Sequence, residues 1–262
     1  MVHLLLGKDW TANTDEIFRR IAKDVANRRG NRILMVPELI SHESERNLCQ
    51  AAGDTASRYA QVLSFTRLFR RVSDTMGMGA VECLDSGGRV VAMAAAARQL
   101  SSRLKAYAAV ETKPEFLTGL IDAVDEFKRC CITPADLMGA SRQTEGSLAQ
   151  KLEELALLME GYDSLCARGK RDPRDQMTWL LEQLEEGTFA QEHVFYIDGF
   201  PDFTRQNLAI LEFLMENAKD VTISLNCDRI ASGLLAFEKA GETAKRLYNA
   251  AKRAGVPISV EV

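Results

Sequence analysis

Long apolar runs are missing from this 262-residue chain, which nowhere approaches the ~20 consecutive apolar residues that a membrane-spanning helix needs. The short apolar start, Met1 to Leu6, runs straight into Gly7 and Lys8 and reads as a first buried strand rather than a secretion signal. A basic excess is missing too. The net charge of −4 and a pI near 5.6 argue against a freestanding nucleic-acid binder, so any DNA contact is expected to be local or shared with a partner. Histidine is scarce, with His3, His42 and His193 alone, and the six cysteines (Cys49, Cys83, Cys130, Cys131, Cys166, Cys227) form no C-x-x-C and stand beside no histidine. No metal site is expected. The cysteines read as reduced, mostly buried thiols of a cytoplasmic protein.

What is present is enough apolar material for a sizeable core, at 46% hydrophobic against 27% charged. His3 to Leu6 predicts a strand, and Thr14 to Arg29 a helix with Ile17, Phe18, Ile21, Ala22 and Val25 on one face. Arg32 to Pro37 is the continuous apolar run of a strand buried on both faces. A helix from Ser41, a short strand at Gln61 to Phe65 and a helix from Thr66 to about Met76 continue the alternation. Past Gly77-Met78-Gly79 the rhythm changes: Ser86 to Glu186 carries helical periodicity and no convincing strand. Within it Leu148, Leu152, Leu155, Met159, Tyr162 and Cys166 form one seam of a long helix. Strand and helix then alternate again through His193 to Ile197, Thr204 to Ala218, Val221 to Leu225, Glu238 to Ala254 and Ile258 to Val262. The pattern predicts an α/β fold: residues 1–78 and 190–262 form one discontinuous parallel-sheet domain, and residues 79–189 an all-helical insertion. Ending inside a strand, the chain is expected to be a piece of a longer polypeptide.

The first strand-to-helix junction is where a phosphate-binding loop, G-x-x-x-x-G-K-[ST], sits in nucleotide-binding α/β folds. Laid over Gly7 to Thr14, only Gly7 and Thr14 match. Ala12 replaces the glycine that permits a positive backbone angle, at a cost of roughly 1–2 kcal/mol, and Asn13 replaces the lysine that neutralises the phosphates. Thr14 offers a hydroxyl to a metal or simply begins the helix. Asp198, closing the His193 to Ile197 run, stands where a working site holds magnesium, but Gly199 follows where a glutamate would orient water. Asp198 reads equally as the start of an Asp-Gly turn. Triphosphate binding is expected to be weak and hydrolysis absent. By motif logic alone, Ala12→Gly with Asn13→Lys would restore some affinity if Thr14 and Asp198 are well placed.

Three segments, Leu63-Ser64-Phe65-Thr66-Arg67-Leu68, Asp125-Glu126-Phe127-Lys128-Arg129-Cys130 and Tyr196-Ile197-Asp198-Gly199-Phe200 with Phe203-Thr204, stand in the order and spacing of one known family. Over nearly its whole length the chain resembles the N-terminal region of AddB/RexB subunits. The resemblance implies a P-loop-like, superfamily 1 helicase-like α/β domain with a helical lobe. It also implies a subunit of a helicase–nuclease that processes DNA double-strand breaks with an AddA/RexA-type partner. The family's nuclease domain and its cysteine-bound iron–sulfur cluster lie downstream, so no catalytic residue, metal or cofactor is expected in this segment. Gly7, Thr14 and Asp198 are expected as a vestigial nucleotide site. Ser64, Phe65, Thr66 and Arg67 match the turn that helicase-like folds present to single-stranded DNA, with Phe65 as a stacking face. The blander reading puts Phe65 in the core and Thr66 at a helix cap. The competing function is that of a P-loop nucleotide hydrolase with a degenerate loop.

Overall fold

A computed structural model describes residues 1–79, 82–108, 113–230 and 234–262. The chain divides into two compact units, Met1–Met78 together with Met177–Val262, and Gly79–Gln176.

The first unit begins with β1 (Val2–Leu6), α1 (Trp10–Ala26), β2 (Arg32–Met35), α2 (Ser41–Ala52), β3 (Ala60–Leu63) and α3 (Phe65–Thr75). The second contributes α4 (Ser86–Gln99), α5 (Pro114–Arg129), α6 (Pro134–Ser141) and α7 (Gly146–Arg168). The chain then returns to the first unit through α8 (Gln176–Glu186), α9 (Phe189–Glu192), β4 (Val194–Ile197), α10 (Arg205–Asn217), β5 (Asp220–Leu225), α11 (Glu238–Arg253) and β6 (Ile258–Glu261). All strand pairings are parallel, in the order β3-β2-β4-β5-β1-β6. This is the expected P-loop-like α/β sheet, interrupted in sequence by helices. Among the described residues no helix is long and apolar enough to cross a membrane.

The strand order decides where a site can form. The connections β1 to β2 to β3 run one way across the sheet, and β4 to β5 to β6 run the other. Right-handed crossovers therefore place their helices on opposite faces. On one face α1 and α2 cover Leu5, Leu34, Val62, Val194 and Tyr196. Alternation turns Val221, Ile223 and Leu225 to the other, where α10 and α11 touch each other and β5. Where the direction reverses, around β4, β5 and β1, a crevice opens beyond the carboxyl ends of the strands.

Residues 177–189, expected in the insertion, belong to the sheet unit. The Trp179 ring lies 6.2 Å from Phe69 of α3, Ser73 donates to Gln183 at 2.9 Å, and Leu180 and Leu184 are buried. Helical periodicity states that a face is buried but not in which core.

The helical unit packs around Met93, Leu120, Val124, Leu158, Met159 and Tyr162. Of the seam expected along α7, Met159, Tyr162 and Cys166 are buried, Leu152 and Leu155 partly so, and Leu148 is exposed. The core also holds charge. Arg89 of α4 pairs with Asp125 of α5, contacts Asp172 at 3.2 Å and donates to the Tyr162 hydroxyl at 3.1 Å. Lys128, one turn beyond Asp125 on the same face of α5, reaches Asp163, Asp172 and Asp175 at 2.8, 3.0 and 2.7 Å. Burial alone would raise the Asp172 carboxyl, but Lys128, the Arg174 backbone amide and Arg89 hold it below its ordinary range. Asp175 is pushed up by burial in spite of Lys128. Burial would likewise lower the Lys128 ammonium, yet Asp175 and Asp163 keep it above the usual lysine range. The Asp125 to Cys130 segment thus holds helices together in this unit, because Asp125 and Lys128 face inward.

Of the six cysteines, only Cys166 and Cys227 are buried; Cys49 and Cys131 are exposed and Cys83 and Cys130 lie between. The expectation of mostly buried thiols is corrected accordingly. The described residues include no cluster of three or more metal-ligating side chains.

Candidate functional site

The crevice at the carboxyl ends of β1, β4 and β5 holds a cavity of about 200 Å³ lined by Trp10, Asn13, Thr14, Asp198, Gly199, Phe200, Pro201, Ser224 and Asn226. It brings together two of the expected vestigial residues. Thr14 donates to Asp198 Oδ2 at 2.7 Å, and Ser224 donates to Asp198 Oδ1. Ser224 escaped the sequence reading because a lone serine at a strand end carries no signal until the strand order places β5 between β1 and β4.

Gly7 holds the loop close rather than open. A Cβ built on it would stand 2.5 Å from Asn13 Oδ1, so only glycine permits that approach. Asn13 is buried and donates to the Leu225 carbonyl at 3.3 Å, tying α1 to the end of β5. With its amide oriented to satisfy both ends, Asn226 donates to the carbonyls of Gly7 and Lys8 at 2.9 and 3.0 Å.

The decisive departure is where α1 starts. The helix begins at Trp10, four residues before the expected Thr14, so Trp10 to Asn13 form a helical turn where a phosphate-binding loop would arch. Asp9 caps it, accepting from the Thr11 amide at 2.9 Å. A carboxylate thus occupies the end of the helix dipole that would otherwise attract an anion. Asp198-Gly199 makes the expected turn and also lines the crevice. Asp198 is 6% exposed and faces Thr14, while Gly199 makes the turn at φ +75°, where a Cβ would come within 2.8 Å of Ile40 Cδ1.

The segment expected to meet DNA follows β3. Ser64, not Thr66, caps α3, accepting from the Arg67 amide at 3.2 Å, and its hydroxyl donates to Glu38. Phe65 is buried, its ring 5.5 Å from Phe200 in an edge-on arrangement, so its face is not offered to a base. This corrects the stacking expectation, since the apolar first turn of α3 is drawn into the core. Thr66 is partly exposed, and Arg67 is partly exposed and pairs with Glu45 at 2.8 Å. Arg67 and Glu45 border a second cavity, of about 330 Å³, alongside the edge strand β3.

Fold and crevice together define a P-loop-like α/β domain with a helical insertion, in which the phosphate-loop position is helical. The profile of the family described as ADDB, N-terminal matches residues 4–262, and the chain belongs to that family. Its relatives carry the name of one subunit of an ATP-dependent helicase/deoxyribonuclease. The chain is 34% identical over 242 residues to the relative from Moorella thermoacetica, covering 88% of this chain and 21% of that protein. The protein of the same name from Thermoanaerobacter sp. (strain X514) is 31% identical over 230 residues, covering 87% and 20%. That from Clostridium acetobutylicum is 28% identical over 229 residues, covering 86% and 20%. The chain therefore spans about a fifth of the length of these relatives.

Proposed function

We propose that this chain is the non-catalytic N-terminal region of a helicase–nuclease subunit that processes DNA double-strand breaks. Its role is assembly with an AddA/RexA-type partner and guidance of DNA through the complex in the cytoplasm. The observation that carries the reading is the start of α1 at Trp10, capped by Asp9, where a phosphate loop would have to be open. Membership of the ADDB N-terminal family, together with the naming of the relatives as subunits, supports an assembled rather than solitary protein. The alternative, a degenerate nucleotide hydrolase, draws support from the retained contact between Thr14 and Asp198.

Thermal unfolding separates the two. Millimolar Mg-ATP is expected to leave the melting temperature unchanged, because a ligand stabilises only in proportion to its binding. A rise of several degrees would establish a nucleotide site and remove the proposal's main support.

The DNA-guiding role rests on the start of α3, with Thr66 and Arg67 as the groups still partly open to solvent. With a net charge of −4 and few phosphates to neutralise, the isolated chain is expected to bind single-stranded DNA only weakly and only at low salt. In the assembled complex Arg67→Ala is expected to weaken DNA binding while the melting temperature of the chain barely moves, since a surface ion pair contributes little to folding. A clear drop in melting temperature with DNA binding intact would make Arg67 a structural partner of Glu45 instead.

A further inference from the structure

The crevice keeps a buried carboxylate without a counter-charge. Asp198 is 6% exposed, and among the described residues no basic group lies within ion-pair distance of it. Its two partners are the Thr14 and Ser224 hydroxyls, one on each oxygen. A carboxylate oxygen can accept more than one hydrogen bond, so the single hydroxyl on each oxygen leaves acceptor capacity for a further donor. Burying such a group is costly unless a charge is brought to it.

Three more features select among candidate occupants. The cavity of about 200 Å³ falls below the roughly 300–1,000 Å³ of small-molecule and cofactor sites, but suits one long side chain. Asp9, capping α1 next to Trp10, repels phosphate, and the Trp10 indole is 65% exposed at the cavity wall with Phe200 also lining it. A hard metal ion takes six or more oxygen ligands and gains nothing from an aromatic wall. A planar cation with several donors fits both the aromatic surface and the two free carboxylate positions.

We propose that this cavity is a guanidinium socket: an arginine side chain enters between Trp10 and Phe200 and pairs with both oxygens of Asp198. The position that holds a nucleotide in other folds of this plan would then take a cation, supplied by a polypeptide segment or by free arginine. Guanidinium chemistry is common to both sources.

The test is a titration of the chain followed by tryptophan fluorescence and calorimetry, with N-acetyl-L-argininamide, free L-arginine, N-acetyl-L-lysinamide and Mg-ATP as probes. A saturable change with the blocked arginine is expected, at least fivefold stronger than with the lysine analogue. It should be at least tenfold weaker in Asp198→Asn. Because that change sits in a buried network, Trp10→Ala serves as the second variant; it alters an exposed ring and should weaken the calorimetric signal without lowering the melting temperature. Tighter binding of blocked than of free arginine identifies a polypeptide source, and the reverse identifies the amino acid. No saturation by roughly 50 mM, or an equal response to lysine, overturns the socket and leaves the proposed function intact. Binding of Mg-ATP with no response to arginine overturns both.

Discussion

Arg89→Ala is expected to destabilise the helical unit by about 3–5 kcal/mol, the range observed when one partner of a buried ion pair is removed and the other stays charged in the interior. Arg89 serves Asp125, Asp172 and the Tyr162 hydroxyl at once, and Asp172 is fully buried. Without the guanidinium, Asp172 retains Lys128 at 3.0 Å and Asp125 retains Arg174 at 2.8 Å, but both lose the group that joins α4 to them. Lys170→Ala is the control: Lys170 pairs with Glu82 at 3.3 Å with both side chains largely in water, a pair worth at most about 1 kcal/mol. Because two units share the chain, hydrogen exchange should be followed together with the global transition, and the loss should concentrate in α4, α5 and α7. A loss below about 1 kcal/mol for Arg89→Ala would mean that water reaches the cluster and that the packed apolar side chains hold the unit without it.

The sheet was legible because strands buried on both faces leave unbroken apolar runs, as Arg32 to Pro37 and His193 to Ile197 do, and because turns and caps punctuate them. The order of those strands was not legible, since local pattern carries no information on which strand lies beside which. Ser224 joined the site only through that order. The buried ion cluster was hidden for a related reason. A basic stretch such as Lys170, Arg171 and Arg174 ordinarily lies in solvent, yet Arg174 reaches Asp125, and Asp172 beside it is fully buried. Charged residues signal burial only through partners distant in sequence, and those of Arg89, Asp125 and Asp172, lie 36 and 83 residues away. The start of α1 was misplaced because Thr14 is a good capping residue, whereas Asp9 caps better when Trp10 to Asn13 can propagate as helix.

That early helix reverses the outcome expected of rebuilding the phosphate-loop motif. Ala12→Gly with Asn13→Lys is expected to give no affinity for Mg-ATP and to cost about 3 kcal/mol of stability. Glycine at 12 would sit within the first turns of α1, where it costs about 1 kcal/mol relative to alanine. Lysine at 13 would lose the bond from Asn13 to the Leu225 carbonyl and press a longer, charged side chain into the space beside Gly7. In a chain of this size each kcal/mol corresponds to about 2–4 °C in melting temperature, so a fall of roughly 6–12 °C is expected. Gly7→Ala tests the same packing from the opposite side, since its Cβ would fall 2.5 Å from Asn13 Oδ1, and should also destabilise, by about 1–3 kcal/mol. If the double variant instead keeps its melting temperature and gains several degrees on adding Mg-ATP, then Trp10 to Asn13 unwind readily into a phosphate loop. The crevice would then be a nucleotide site that two substitutions suffice to reopen.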